Sequence, residues 1–242
     1  MTTCTVLASS SKANCVAVEN SGEVILIDCG LSARAATNYL LTTGTCAINI
    51  ASAILLTHEH ADHSAGVKGF ISKHEATLVT KEATAEAIGC WKYVEPSCVV
   101  GPFDIHAFPV PHDAADPIGF VIQAGGRRIG YCTDIGVVTR LMFERLKGCE
   151  LLFIEANHDV RMAQASDRHD SLKHRIAGAH GHISNDAAGM LIAALVPHGL
   201  KKAVLCHLSK DCNEPSVALG TVKAAAPACE IHVADFGLKV TI

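Results

Sequence analysis

The sequence predicts an α/β fold in which two β-sheets pack between outer helices. Three observations predict it. Short, β-branched, apolar runs recur along the whole chain; helical stretches come between them rather than in a separate block; and this strand–helix alternation occurs twice. The 242 residues suit one domain, taken as 1–242, with no repeat, low-complexity tract or linker.

In chain order, strands are expected at 3–8, 15–19 and 23–29, with hairpin turns such as Asn20-Ser21-Gly22. Strands at 53–57 and 77–80 follow, among helices at 32–43, 65–74 and 81–88. The second passage has strands at 105–110, 118–124, 127–133, 151–155, 203–208, 230–233 and 238–242, with helices at 139–147, 184–196 and 215–225. Ser32, Ser184 and Asn213 or Glu214 offer side-chain oxygens for the free amides of a helix start. Residues 158–181 form the one long irregular segment, a length that in a compact domain points to a functional or mobile loop.

Composition bounds the function. With 49% apolar and 18% charged residues, disorder is excluded as the dominant state. The longest apolar run, 190–196, is far short of the roughly 20 residues that a spanning helix needs. The first fifteen residues show no basic stretch leading into an apolar core, so no secretory signal is read and a cytoplasmic location is expected. A net charge of −4 rules out a globally basic nucleic-acid binder but leaves room for a local basic patch. The 11 cysteines include no Cys-x-x-Cys pair, so they are read as reduced, buried, small apolar side chains, with Cys29, Cys132 and Cys206 at strand ends. Trp91 is read as a packing residue, and His74, His106, His169, His174, His198 and His232 as ordinary surface histidines.

The chemistry concentrates in Thr57-His58-Glu59-His60-Ala61-Asp62-His63, directly after the apolar strand 53–56. Alternate residues of an extended segment point the same way, so His58 and His60 can share one ion; Asp62 and His63 fall on the next turn and can face a second. His112, Asp134 and His207 repeat the pattern of an apolar strand followed by a polar ligand, and strand ends along one sheet edge converge in space. Imidazole and carboxylate donors admit zinc, manganese or iron.

These residues, His58-x-His60-x-Asp62-His63 with His112, Asp134 and His207, together with Asp28 in Ile25-Leu26-Ile27-Asp28-Cys29-Gly30, resemble the metallo-β-lactamase fold of binuclear metallohydrolases over essentially the whole chain. The resemblance implies a four-layer αβ/βα sandwich. It further implies one ion on His58, His60 and His112, a second on Asp62, His63 and His207, Asp134 between them, and Asp28 behind the ligands, orienting their loop. No cysteine stands at a ligand position, which weighs against antibiotic hydrolysis. Asp62 is also counted among the catalytic residues, and Asp113, beside His112, is expected to support it from behind.

The fold hosts several chemistries, so residues beyond the metals decide. Glu155 at a strand end, Gly181-His182-Ile183-Ser184-Asn185 leading into a helix, and His207-Leu208-Ser209 are similar to the nucleic-acid-cleaving branch that includes tRNase Z, where the matching glutamate and histidine form a proton-donating dyad. The closer likeness, carried by residues 7–15, 112–120, Glu155-Ala156-Asn157-His158-Asp159 and 181–185, is to the single-domain bacterial WalJ/YycJ-like exonucleases. It departs from them at Ser9-Ser10-Ser11-Lys12-Ala13-Asn14, where that family tends to carry two glycines.

The expectation is therefore a 5′→3′ DNA exonuclease with two divalent ions, a metal-activated water as nucleophile, Glu155 holding His182, and His182 protonating the leaving oxygen. An alkoxide is a poor leaving group and needs that acid more than a lactone or thioester does. Ser184 and Asn185 at the helix start, and Ser209 opposite, are candidates to grip phosphate, with His158 lining the site. Arg161, Arg168, Lys173 and Arg175, with His169, His174 and His180, make 158–181 the one locally basic stretch near the site. DNA is favoured over RNA, no membrane is involved and oligomeric state stays open. The rival readings are a lactonase- or thioesterase-like hydrolase of the same fold and a non-enzymatic metal-binding regulator.

Overall fold

The computed structural model describes residues 1–45 and 51–242; Cys46 lies outside the described residues. The first sheet contains β1 (Thr2–Ser10), β2 (Ala13–Asn20), β3 (Glu23–Ile27), β4 (Ala53–Leu55) and β5 (Thr77–Val79). The second contains β6 (Cys98–Val100), β7 (Phe103–Pro109), β8 (Ile118–Ala124), β9 (Arg127–Cys132), β10 (Leu151–Glu155), β11 (Lys202–Cys206) and β12 (Glu230–Val233). The last strand, β13 (Lys239–Thr241), crosses back to pair with β1, giving orders β13-β1-β2-β3-β4-β5 and β12-β11-β10-β9-β8-β7-β6.

Three apolar layers follow from strand alternation. Leu151 and Phe153 of β10 face the first sheet and meet Val6, Ile25, Ile27 and Leu55 there, while Leu152 and Ile154 point outward. The outward side chains pack on α5 (Arg140–Leu146), α8 (Asn185–Leu195) and α9 (Pro215–Ala225) through Met142, Ile192 and Val222. The other face of the first sheet packs on α1 (Ala33–Thr42) and α3 (Val67–His74) through Leu40 and Phe70. Strands buried on both faces read as unbroken apolar runs, which is why β10 and β11 stand out in the sequence. The result is the expected helix–sheet–sheet–helix sandwich.

The topology brings the candidate site residues to one edge. Strands β9, β10, β11 and β12 run parallel, and β7 runs the same way because β8 is antiparallel to both its neighbours. In the first sheet β3, β4 and β5 are parallel. The segments that follow β3, β4, β7, β9, β10 and β11 carry every proposed ligand.

Several boundaries differ from expectation. Residues 158–181 are not one irregular loop: they form α6 (Val160–Ala165) and α7 (Asp170–Ile176). Asp159 accepts from the Met162 amide and His169 from the Ser171 amide, so side-chain capping starts both helices. Neither helix has a buried residue, so no apolar periodicity marks them in the sequence. The short helices α2 (Ala61–Ser64) and α4 (Glu82–Ala87) flank α3, and the edge strand β6 escapes notice because Val99 is exposed. Trp91 is 75% exposed rather than packed, because its neighbours Cys90 and Tyr93 are the residues that turn onto the apolar layer.

The ten described cysteines are all free; eight are buried, and burial pushes the Cys4 and Cys206 thiols up to about 12. No helix among the described residues is long and apolar enough to cross a membrane.

Gly30 fixes how the ligand loop rests on β3. Its amide donates to the Asn14 carbonyl at 3.0 Å, and the Cys29 amide beside it donates to the His63 carbonyl at 2.7 Å. A Cβ at Gly30 would collide with the Asp62 carbonyl. Gly30→Ala is expected to lower stability by about 3 kcal/mol, since backbone cannot rotate away as a side chain can. A urea unfolding curve with an unchanged midpoint would contradict this placement.

Candidate metal and catalytic centre

The centre is built from strand ends, and three of its residues sit in strained backbone. Asp28 (φ 58°), Asp134 (φ 55°) and His207 (φ 54°) follow β3, β9 and β11 in the left-handed region. Only six non-glycine residues adopt positive φ among the described residues, and half of them are here. Such conformations cost on the order of 1–3 kcal/mol each and persist where surrounding contacts over-determine them. At each position the abrupt turn ends the strand and swings a polar side chain over the sheet edge.

The candidate ligand atoms gather as two trios. His58 Nε2 lies 3.1 Å from His60 Nδ1, and the His112 ring centroid is 5.2 Å from each of theirs. Asp62 Oδ2 lies 3.4 Å from His63 Nε2 and 3.5 Å from His207 Nε2. The nitrogen and oxygen atoms within each trio all fall within 4.8 Å of one another. Asp134 faces both trios, 3.0 Å from His63 Nε2, 3.5 Å from His207 Nδ1 and 3.8 Å from His112 Nε2.

What orients these imidazoles lies behind them. His63 Nδ1 is 2.8 Å from Asp28 Oδ2. An ionised carboxylate only accepts, so Nδ1 carries the hydrogen and Nε2 is turned toward the cluster. Asp28 also accepts from the Thr57 amide and hydroxyl, both at 2.9 Å, and from the Tyr131 hydroxyl at 3.3 Å. Thr57 Oγ1, its hydrogen committed to Asp28, can accept from His58 Nδ1 at 3.0 Å. His112 Nδ1 is held by the Gly181 carbonyl at 3.2 Å, and His207 Nδ1 by Glu155 Oε1 at 2.9 Å. Four histidines thus have Nδ1 engaged from behind.

His112 Nε2 and His207 Nε2 are buried without a hydrogen-bond partner. Leaving such atoms unpaired costs free energy unless something binds them. A divalent ion fits the donor set: imidazole nitrogens and carboxylates, aimed inward, with no lysine or arginine in either trio.

Glu155, fully buried at the end of β10, ties a second group to this centre. Its Oε1 lies 2.8 Å from His182 Nδ1 as well as 2.9 Å from His207, while Oε2 accepts from the Ile135 and Ile183 amides. Burial alone would lower the pKa of His182, but Glu155 and then Asp134 outweigh it, and His182 is held above the ordinary histidine value. His207 is pushed up to about 10: its burial is overcome by Asp134, Asp62 and Glu155. His182 is half-buried, so it borders both the ligand cluster and solvent.

The other sequence candidates are distributed unevenly. Ser209 is buried, accepts from the Cys212 amide at 3.3 Å and lies 3.4 Å from Arg168 Nη2. His158 is buried beside His182. Ser184 spends its hydroxyl capping α8, accepting from the Ala187 amide. Asn185 is turned inward, its amide locked to Asn213 at 2.9 and 3.0 Å, so its side chain is not free to grip phosphate. Asp113 does not support a ligand: it faces solvent and pairs with Arg175 at 3.1 Å, because the chain turns outward immediately after His112. Of the basic stretch, Arg168 and Arg175 reach the cavity over the cluster, while Arg161 does not line it. Asn14 was not foreseen: its Nδ2 donates to Asp62 Oδ2 at 3.2 Å and lies 3.0 Å from His63 Nε2. Its only sign in the sequence is its place in the segment 9–14.

Comparison with known proteins bears on the family and the fold. Residues 23–208 match the family described as beta-lactamase superfamily domain. The chain is 31% identical over 249 residues to exodeoxyribonuclease YycJ of Bacillus anthracis, covering 95% of this chain and 94% of that protein. It is likewise 31% identical over 248 residues to exodeoxyribonuclease WalJ of Streptococcus pneumoniae, covering 97% and 90%. Among solved structures, the metallo-beta-lactamase fold protein YhfI of Bacillus subtilis superposes with a TM-score of 0.77 at 16% identity, over 99% of this chain and 98% of that one. The fold, the histidine–aspartate cluster and the family match coincide, and the chain belongs to the beta-lactamase superfamily.

Proposed function

We propose that this protein is a metal-dependent phosphodiesterase that degrades DNA from an end in the 5′→3′ direction. The observation that carries the reading is the Glu155–His182 pair, 2.8 Å apart at the border of the ligand cluster. A proton donor in that place serves a reaction whose leaving group is a strongly basic alkoxide. The relatives named as exodeoxyribonucleases support DNA as the substrate.

His58, His60 and His112 would hold one divalent ion, and Asp62, His63 and His207 the other, with Asp134 reaching toward both. When bound, the two ions supply charge neutralisation at the phosphodiester and an activated water. The chain's own residues do the rest. Glu155 fixes the ring of His182 through Nδ1 and raises its proton affinity, so that its other nitrogen can hand a hydrogen to the departing oxygen. Because Glu155 also grips His207, the acid and the ligand set share one rigid support. Arg168 and Arg175 line a cavity of about 220 Å³ over the cluster, together with Ser11 and Ser209. Each arginine now leans on an exposed carboxylate, Asp211 or Asp113, which a polyanion would displace.

Loading the protein with excess Zn²⁺ or Mn²⁺ is expected to stabilise it by about 2–3 kcal/mol at a hundredfold excess over the dissociation constant. A thermal melt reads this as a rise of roughly 5–10 °C. His112→Ala should remove most of the gain, and equal melts with and without metal would favour a scaffold role. On end-labelled DNA, His182→Ala is expected to lower turnover about 10²–10⁴-fold with metal content unchanged; DNA cleavage at the parent rate would contradict His182 as the proton donor, and a parent protein that leaves DNA intact but opens lactones or thioesters would favour acyl hydrolysis. In Glu155→Gln, His182 loses the charge that raises its pKa, so its protonated form is lost at lower pH. The alkaline limb of the rate profile should therefore move down. Product ladders from single- and double-stranded DNA and RNA read out polarity and sugar preference together.

A further inference from the structure

A second, larger cavity opens on the far side of His182. It encloses about 690 Å³ and is walled by Val138, Phe143, Ala187 and Leu191, with Met190 and Ala194 at its mouth. His182 lines both this cavity and the smaller polar one above the ligand cluster, so the two spaces meet at that ring. Its character is opposite to that of its neighbour: apolar walls, no carboxylate, and Arg140 as its one basic lining residue. Polar side chains border it at Thr139, Ser184, His158 and His182. His158 is 5% exposed, lines the cavity, and has a buried Nδ1 with no hydrogen-bond partner. The α8 positions 187, 190, 191 and 194 fall on one helix face, so the wall is a continuous stripe.

We propose that this cavity receives the base of the nucleoside that leaves, the one whose oxygen takes the proton from His182. The inference rests on the phosphodiesterase reading and adds a subsite to it. A base is a flat ring with apolar faces and hydrogen-bonding edges, which matches apolar walls bordered by the polar side chains of Thr139, Ser184 and His158. Its volume lies within the range of small-molecule pockets. The direction follows from chemistry: the phosphate must sit over the ligand cluster, on the side of Arg168 and Ser209, so what lies beyond the proton donor is the departing group. Recognition mainly through ring faces would tolerate different bases, as an exonuclease acting on mixed sequence requires.

The test fills the cavity with Ala194→Phe, at an exposed position, and separately with Ala187→Phe, with thermal melts confirming that each variant folds. Metal-stripped protein is titrated with DNA carrying 2-aminopurine at the terminal position. The fluorescence of the probe should change on binding to the parent protein and not on binding to the filled variants. With metal restored, the parent should show a KM about tenfold higher for DNA with an abasic terminal residue. The filled variants should show that raised KM with intact DNA, little further change with the abasic substrate, and kcat within a few-fold of the parent. An unchanged probe signal in the variants, or equal KM for intact and abasic ends in the parent, overturns the subsite while leaving the nuclease reading intact. A probe response without cleavage of any DNA would sink the nuclease reading and leave the cavity as a base-binding site.

Discussion

Two buried carboxylates, Asp28 and Glu155, hold the rest of the centre in place. Each is fully buried and stands behind the histidines rather than among the ligand atoms. Asp28 fixes His63 directly and His58 through Thr57; Glu155 fixes His207 and His182. Because a carboxylate can only accept, each of these contacts decides which ring nitrogen carries the hydrogen and which is left for the centre. Burying a negative charge is costly, and the cost is met by several donors at once: Thr57, Tyr131 and His63 on Asp28, and two backbone amides with two imidazoles on Glu155.

The sandwich explains why these groups can be so close. Strand ends from both sheets meet at one edge, and three left-handed residues there turn the ends of strands so that polar side chains stand over that edge. Strain of this kind is affordable only on a rigid base, and the layer between the sheets supplies one through Ile25, Ile27, Phe120, Tyr131 and Phe153. Tyr131 belongs to both worlds: its ring is part of that layer and its hydroxyl is on Asp28.

Much of this was legible in the sequence, for physical reasons that also mark where legibility ends. Strands buried on both faces read as apolar runs, so β3, β10 and β11 and the two-sheet order were visible. Four candidate ligands packed into His58–His63 after a strand carry their own signal, and His112, Asp134 and His207 repeat its context. Glu155 and His182 came from resemblance, and the structure places them 2.8 Å apart. Helices α6 and α7 were invisible because polar helices bury nothing and leave no periodicity. Asn185 and Asp113 were misread because neighbouring a functional residue in sequence does not fix which way a side chain turns. The contact of Glu155 with His207 spans 52 residues and that of Asn14 with Asp62 spans 48, and no local pattern encodes either.

The proposed function needs the two trios to act as a paired metal site with Asp134 between them. Anomalous diffraction from a crystal of the protein loaded with zinc, collected on both sides of the absorption edge, tests it most directly. Two peaks are expected, one among His58, His60 and His112 and one among Asp62, His63 and His207, each within coordination reach of Asp134. A single peak elsewhere, or density in which the imidazoles turn away from the ion, would contradict it.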